Sequence, residues 1–212
     1  MARTPDLDMK RELLDQVVAY LAKHGLGDMS LRPMAAELRT SPNRLVHHFG
    51  PKNELLALAL RRAVVIQGDV ELVWLARKPD ISQADLLRKW WKWMLADAEN
   101  LAIVRLGLEA ATLEATYTGL PGEVRSEQIG FWRTNIEQRL QQQGLAPKDA
   151  ALEATLLKGT FTGLMVDLMA TGDKSRLGRA LEEGLRRHEV RVAEFIGDEP
   201  RQLVALTDRW PG

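Results

Sequence analysis

Apolar residues recur at helical spacing along almost the whole chain. Leu13, Leu14, Val17, Val18 and Leu21 lie three and four apart, which places them on one face of a first helix. Lys23-His24-Gly25 closes that helix, because cations near the last carbonyls followed by glycine form a C-terminal signal. Ser30 is placed to cap a short helix over about 31–38, with Pro33 tolerated in its first turn. Ser41 caps another short helix, Pro42 stands at its first position, and it runs to about His48. Gly50-Pro51 breaks the chain, and a long helix follows from Lys52 to about Ala76, stopped before Pro79. Further helices are expected over about 82–98, capped by Ser82, and about 100–116, capped by Asn100. Gly119-Leu120-Pro121-Gly122 interrupts before a helix that ends ahead of Gly144. Two more span about 147–171 and 174–196, divided by Thr171-Gly172-Asp173. No strand alternation, hairpin signal or internal repeat competes with this pattern. The expected fold class is therefore all-α, about nine helices, with no assignment for the tail 197–212.

Composition narrows the partners. The 212 residues are 45% apolar, with 29 basic and 29 acidic side chains, so net charge points nowhere. Its distribution is uneven: residues 1–62 carry ten Lys/Arg against seven Asp/Glu, and within 30–62 the count is six against two. A locally basic N-terminal segment on a neutral protein fits a polyanionic partner. The absence of cysteine excludes disulfides, thiolate chemistry and Cys-ligated zinc or iron–sulfur sites. The stretch MARTPDLDMK lacks the apolar core of a signal peptide, and no window approaches the roughly 18 apolar residues of a spanning helix. A soluble, cytoplasmic protein with no membrane partner is expected.

The two short helices, joined by three or four residues and packed on a longer first helix, suggest a helix-turn-helix. Ala35 and Leu38, with Leu45, would form its small core, and Leu31 and Met34 would lock it to the first helix. Pro42, Asn43, Arg44, His47 and His48 are then left facing outward. These are the donors a major-groove helix needs: Arg44 for guanine, Asn43 for adenine, each pair worth roughly 1–3 kcal/mol of discrimination. Lys52 at a helix N-terminus makes a phosphate clamp, since the free N–H groups there already attract anions. Arg32 is a weaker phosphate candidate, and Arg3, in an N-terminal arm, weaker still. Adjacent histidines on a helix point about 100° apart and rarely ligate one metal together, and no Asp or Glu lies between Arg39 and Asn53. No metal site is expected.

The stretch SLRPMAAELRTSPNRLVHHFGPKNELL, residues 30–56, resembles the DNA-binding signature of the tetracycline-repressor (TetR) family. The shared features are the cap residue, an alanine in the first short helix, Ser41 opening the recognition helix (about 41–48), Leu45, the cluster closing on Phe49, and Lys52 with Leu55-Leu56. The match covers about residues 10–60. The resemblance implies a helix-turn-helix domain over 1–51 and an effector-binding and dimerisation domain over 52–212. It also implies a homodimer on a palindromic double-stranded operator, a small-molecule effector, no resident cofactor, and DNA contacts from Arg32, Thr40, Ser41, Pro42, Asn43, Arg44, His47, His48 and Lys52. A repressor is expected, with an activator or a DNA binder that senses no ligand as alternatives and an α-helical enzyme as the less favoured one. Three positions depart from the family: Arg39 where glycine is common in the turn, Asn43 where a small residue is common, and Val46 where a tyrosine often meets phosphate. Arg39 must accept a less favoured backbone conformation, or the turn must differ. His48 stands where a second phosphate-contacting aromatic is frequent.

Large apolar residues crowd the second half, and five of the six tryptophans lie between Trp74 and Trp132. Such stripes are usually core, but the family resemblance implies an apolar pocket among the later helices, and apolar walls with few polar groups suit a ligand. The candidates are Trp90, Trp93, Met94, Leu108, Tyr117, Trp132, Phe161 and Met165, with Arg105, Glu109, Thr112, Thr160 and Asp167 as the polar part. Within WWKW, residues 90–93, Trp93 is expected inward and Trp91 partly exposed; a stacking platform for single strands is the sharper, less favoured reading. Leu177, Leu181, Leu185, His188, Val192 and Phe195 form one stripe on the last helix. Gly159 and Gly163 in GTFTG would allow close helix approach, so these two helices are expected to pair with their copies in a four-helix bundle. No nucleophile–base pattern, His/Glu metal spacing or glycine-rich phosphate loop is present, and Glu109 with Glu114 is better explained as a solvated face than as an acid pair. No enzyme activity and no catalytic residue are expected.

Overall fold

The computed structural model describes the backbone of residues 4–27, 29–113 and 122–197, and side chains over 7–27, 29–110 and 132–197. Arg3, Glu114, Tyr117, the break at 119–121 and the tail beyond Gly197 lie outside the described residues, as do the side chains of Thr112 and Phe131. Among the described residues there are nine helices and no strand: α1 (Thr4–His24), α2 (Leu31–Glu37), α3 (Pro42–Phe49), α4 (Lys52–Arg77), α5 (Gln83–Ala96), α6 (Ala98–Leu113), α7 (Gly122–Gln142), α8 (Pro147–Thr171) and α9 (Lys174–Gly197).

The chain forms two compact units, residues 1–133 and 134–212. In the first, α1 packs on both α4 and α6, α3 packs on α4, and α2 packs on α3. The core of this unit gathers Leu13, Val17, Val18 and Leu21 of α1, Met34 and Ala35 of α2, Leu45 and Phe49 of α3, and Leu55, Leu56, Ala59 and Leu60 of α4. Burying each leucine is worth roughly 1.5–3 kcal/mol, so the short helices, too brief to be stable alone, are held by this packing. Arg62 on α4 donates two hydrogen bonds to the Asp15 carboxylate on α1, at 2.5 and 3.1 Å, which fixes the two long helices side by side. That partner raises the guanidinium pKa above its usual value.

The expected capping signals hold in part. The Ser41 Oγ accepts from Arg44 N at 3.1 Å, and the Ser82 Oγ accepts from Asp85 N at 3.0 Å. Ser30 stands at the N-cap of α2 in an extended conformation, but its side chain makes no capping bond. The cap of α6 is Asp97 rather than Asn100: Asp97 Oδ1 accepts from Glu99 N at 2.8 Å. Asn100 instead donates to the Trp93 carbonyl at 2.9 Å, satisfying the end of α5 from within the next helix.

The WWKW expectation is reversed. Trp91 is 6% exposed and buried alongside Trp90 and Met94, whereas Trp93 is half-buried. The buried stripe of α5 runs Ala84, Leu87, Trp91 and Met94, a spacing that turns Trp91 inward and leaves Trp93 at its margin.

In the second unit α8 and α9 pack on each other. Gly172, at φ +68°, ends α8 in the left-handed conformation, and Arg176 binds the Asp167 carboxylate at 2.8 and 2.9 Å across the corner. Arg176 is the main reason the carboxyl of Asp167 is held below its ordinary pKa. Asp167 is therefore engaged in the α8–α9 corner.

Candidate nucleic-acid interface

The turn between α2 and α3 contains the departure noted at Arg39. Arg39 adopts φ +52°, the left-handed region that glycine occupies freely. Around it, Thr40 N donates to Ala35 O at 2.9 Å and Arg39 N donates to Ala36 O at 3.2 Å. These two bonds make a Schellman motif with Arg39 at C′, so the strained residue is held by the closure of α2.

The third helix is pinned from below. Leu45 and Phe49 are 0% and 3% exposed, four residues apart on one face. The opposite face presents Asn43, Arg44, Val46 and His47 to solvent, with Pro42 and His48 half-buried at its edges. The rings of His47 and His48 meet edge to face at 5.3 Å, and His48 also packs against Phe49 at 6.0 Å. Ser41 is exposed, as is Arg32 on α2. Thr40 is half-buried, and its Oγ1 is enclosed with no hydrogen-bond partner among the described residues. Among the described residues no group of three or more His, Asp and Glu is placed to hold a metal ion.

Two residues of α1 adjoin this face and were not singled out from the sequence. Arg44 donates to the Met9 sulfur at 3.2 Å, and Lys10 lies 5.6 Å above the Phe49 ring. A thioether is a weak acceptor, so Arg44 leaves it at little cost for a base edge. Lys10 adds a cation over Phe49, on the anchored side of α3. Its place on the polar side of an amphipathic helix carried no signal, because only the fold brings it to Phe49.

Lys52 is the first residue of α4 and is half-buried, with no side-chain cap on the helix N-terminus. Gly50 precedes it at φ +80°, and the Glu54 carboxylate folds back into the space a β-carbon on Gly50 would take. The positive φ requires glycine there, while the Glu54 side chain is flexible and could turn aside.

Arg105 and Glu109, the polar ligand candidates on α6, face α1. Arg105 donates to the carbonyl of Ala22 at 2.5 Å and to that of Lys23 at 3.5 Å. Glu109 accepts from Leu26 N at 3.0 Å, and its other oxygen lies at ion-pair distance, 3.3 Å, from Arg105 Nε. Together they close the C-terminal end of α1 and the loop beyond it. Leu108 is half-buried on the same helix.

The remaining ligand candidates fall in both units. In the first, Trp90 is the hub of an indole cluster, with ring centroids 5.1 Å from Trp74, 5.2 Å from Trp93 and 5.2 Å from Trp132. Its Nε1 donates to Glu71 Oε2 at 2.9 Å. Glu71 and Trp74 were missed as site residues, although their i, i+3 spacing on α4 sets them on one face. Met94 is buried. In the second unit Phe161 and Met165 are buried on α8, where Thr160 is exposed.

The stripe on α9 is consumed within one chain: Leu177, Leu181, Leu185 and His188 are all buried without a partner. His188 Nδ1 lies 3.1 Å from the buried Glu153 carboxylate of α8. Val192 and Phe195 are half-buried. An exposed apolar face lies on α8, where Leu152, Leu156 and Val166 are 48%, 45% and 54% exposed, with Gly159 and Gly163 open between them; α9 adds the exposed Val190 and Ile196. A buried stripe and a free stripe look alike in sequence, and only packing separates them.

Three solved structures share this fold. A transcriptional regulator from Rhodococcus sp. Rha1 is 24% identical, with a TM-score of 0.68 over 90% of this chain and 99% of its own. A protein from Saccharomonospora viridis, described as a transcriptional regulator and solved in complex with choline, is 21% identical, with a TM-score of 0.62 over 89% of this chain and 97% of its own. A Rhodococcus sp. protein described as a TetR-family transcriptional regulator is 17% identical, with a TM-score of 0.65 over 85% of this chain and 96% of its own. The chain has the all-helical fold of these regulators. No protein-family profile and no curated protein matches it.

Proposed function

We propose that the chain is a ligand-responsive, DNA-binding transcriptional regulator of the TetR family, a cytoplasmic homodimer that represses from a palindromic operator and is released by a small, largely apolar effector. The observation that carries this reading is α3: a Ser41-capped helix anchored through Leu45 and Phe49, with Asn43, Arg44 and His47 directed outward. That is the arrangement direct readout requires, donors to base edges on a face held rigidly from behind. Arg32, His48 and Lys52 supply the surrounding phosphate contacts. Residues 1–51 read DNA, and 52–212 bind the effector and the second subunit. The exposed face of α8, with leucines flanking two glycines, is the surface that meets its copy. Two-fold symmetry then sets half-sites about one helical turn apart, roughly 34–36 Å. The effector binds better to the conformer whose reading heads are wrongly spaced, and so releases the DNA. A neighbour in this fold solved in complex with choline supports a small-molecule effector.

The test is selection of purified protein on a library of random duplexes at stated salt, followed by sequencing. Enrichment of a palindrome is expected. Salt-sensitive binding without sequence preference would overturn the reading of α3.

A further inference from the structure

We propose that the indole cluster around Trp90, with Glu71 at its edge, is a recognition site for a small organic cation carrying a quaternary or tertiary ammonium group. The inference rests on the effector-binding role of residues 52–212 and names the class of molecule that role takes. Four tryptophans meet here from three helices: Trp74 of α4, Trp90 and Trp93 of α5, and Trp132 of α7. Only Trp90, at 3% exposure, is closed off; Trp74, Trp93 and Trp132 are half-buried and keep ring surface at the margin. An indole face carries the negative lobe of its quadrupole, and tryptophan is the strongest cation–π partner among the side chains.

Two further observations give the cluster a charge preference. Glu71 brings a half-buried carboxylate onto it through the bond from Trp90 Nε1 at 2.9 Å. That bond fixes a negative charge beside the rings. The cluster also already draws a cation of its own, since Lys89 Nζ lies 5.8 Å from the Trp74 centroid. The Trp74 face therefore already accepts an ammonium group, and Glu71 supplies a carboxylate for a second one. A neutral apolar ligand gains only area. An onium ion with alkyl substituents gains both, because its charge is spread over methyl groups that shed water cheaply against indole.

The test uses the full-length protein and two probes of nearly one shape, choline and its uncharged carbon isostere 3,3-dimethylbutan-1-ol, by isothermal titration calorimetry at fixed ionic strength. Choline is expected to bind saturably and at least tenfold tighter than the isostere. Glu71→Gln keeps an acceptor for Trp90 Nε1 and removes only the charge; it should weaken choline about tenfold and leave the isostere unchanged. Trp93→Phe should weaken choline less than Trp93→Leu, following ring quadrupole rather than volume. Equal binding of the two probes, indifferent to Glu71→Gln, overturns the cationic class while leaving an apolar effector site in place. Binding of neither probe overturns the inference. The DNA selection above contains no ligand, so a palindrome recovered there, with no choline binding here, separates failure of this inference from failure of the regulator reading.

Discussion

Replacing Arg105 with methionine keeps most of the side-chain volume on α6 and removes its hold on α1. The guanidinium caps α1 through the carbonyls of Ala22 and Lys23, at 2.5 and 3.5 Å. A hydrogen bond from a charged donor contributes roughly 1.5–3 kcal/mol, and a cation at a helix C-terminus about 0.3–1 kcal/mol. The Arg105 side chain is 40% exposed, so water recovers part of this and a net loss of about 1.5 kcal/mol is expected. In a chain of this length that lowers Tm by roughly 3–6 °C. Glu109 shares the contact, accepting from Leu26 N and lying 3.3 Å from Arg105 Nε. The double variant Arg105→Met/Glu109→Gln should therefore lose less than the two single variants together, with a coupling of about 0.5–1 kcal/mol. Urea unfolding of the four proteins, read by circular dichroism, gives the cycle. Strict additivity, or an unchanged Tm in Arg105→Met, would refute the tie between α6 and α1.

Arg39 and Gly50, the positive-φ positions on either side of α3, predict opposite signs. Arg39→Gly should stabilise by about 0.5–1 kcal/mol, the relief of a left-handed residue less the added freedom of the unfolded chain, and Tm should rise in calorimetry. Gly50→Ala should cost about 2 kcal/mol, because φ +80° is retained only by glycine and Glu54 must also move. Arg44→Ala and Asn43→Ala should each weaken binding to the selected operator by roughly 1–3 kcal/mol with the helical spectrum unchanged; unaltered affinity in both would remove α3 from base readout. Leu156→Arg, on the exposed face of α8, should yield a folded monomer in sedimentation, whereas a persisting dimer would place the interface elsewhere.

The pair of short helices α2 and α3 was legible because its signals are local. Ser41, Pro42 and Leu45 lie within five residues of one another, and cap, first-turn proline and buried leucine each constrain the same short helix. The consequence of Arg39 was likewise readable as backbone strain, and φ +52° is that strain realised. What sequence could not supply was the partner of a side chain. Arg105 and Glu109 read as pocket polarity, yet their bonds reach residues 83 positions away in α1 and its loop. The α9 stripe was correctly seen as apolar, but periodicity states that a face is covered and not by what; α8 of the same chain supplies the Glu153 partner of His188. Trp91 and Trp93 stand two residues, about 200°, apart around α5, and a run of three tryptophans in four residues leaves open which of them turns inward.

The placement of the tryptophans has an optical consequence. Residues 1–52 contain a single tyrosine, Tyr20, and no tryptophan, while all six indoles stand at Trp74 or beyond. Helices α1 to α3 are therefore dark in the emission band of indole. In a Trp210→Phe variant, a change in that emission when a DNA duplex is added reports a change that reaches α4, α5 or α7. Indole emission thus reports whether contact with DNA is felt by the helices that carry the tryptophans, in a single cuvette.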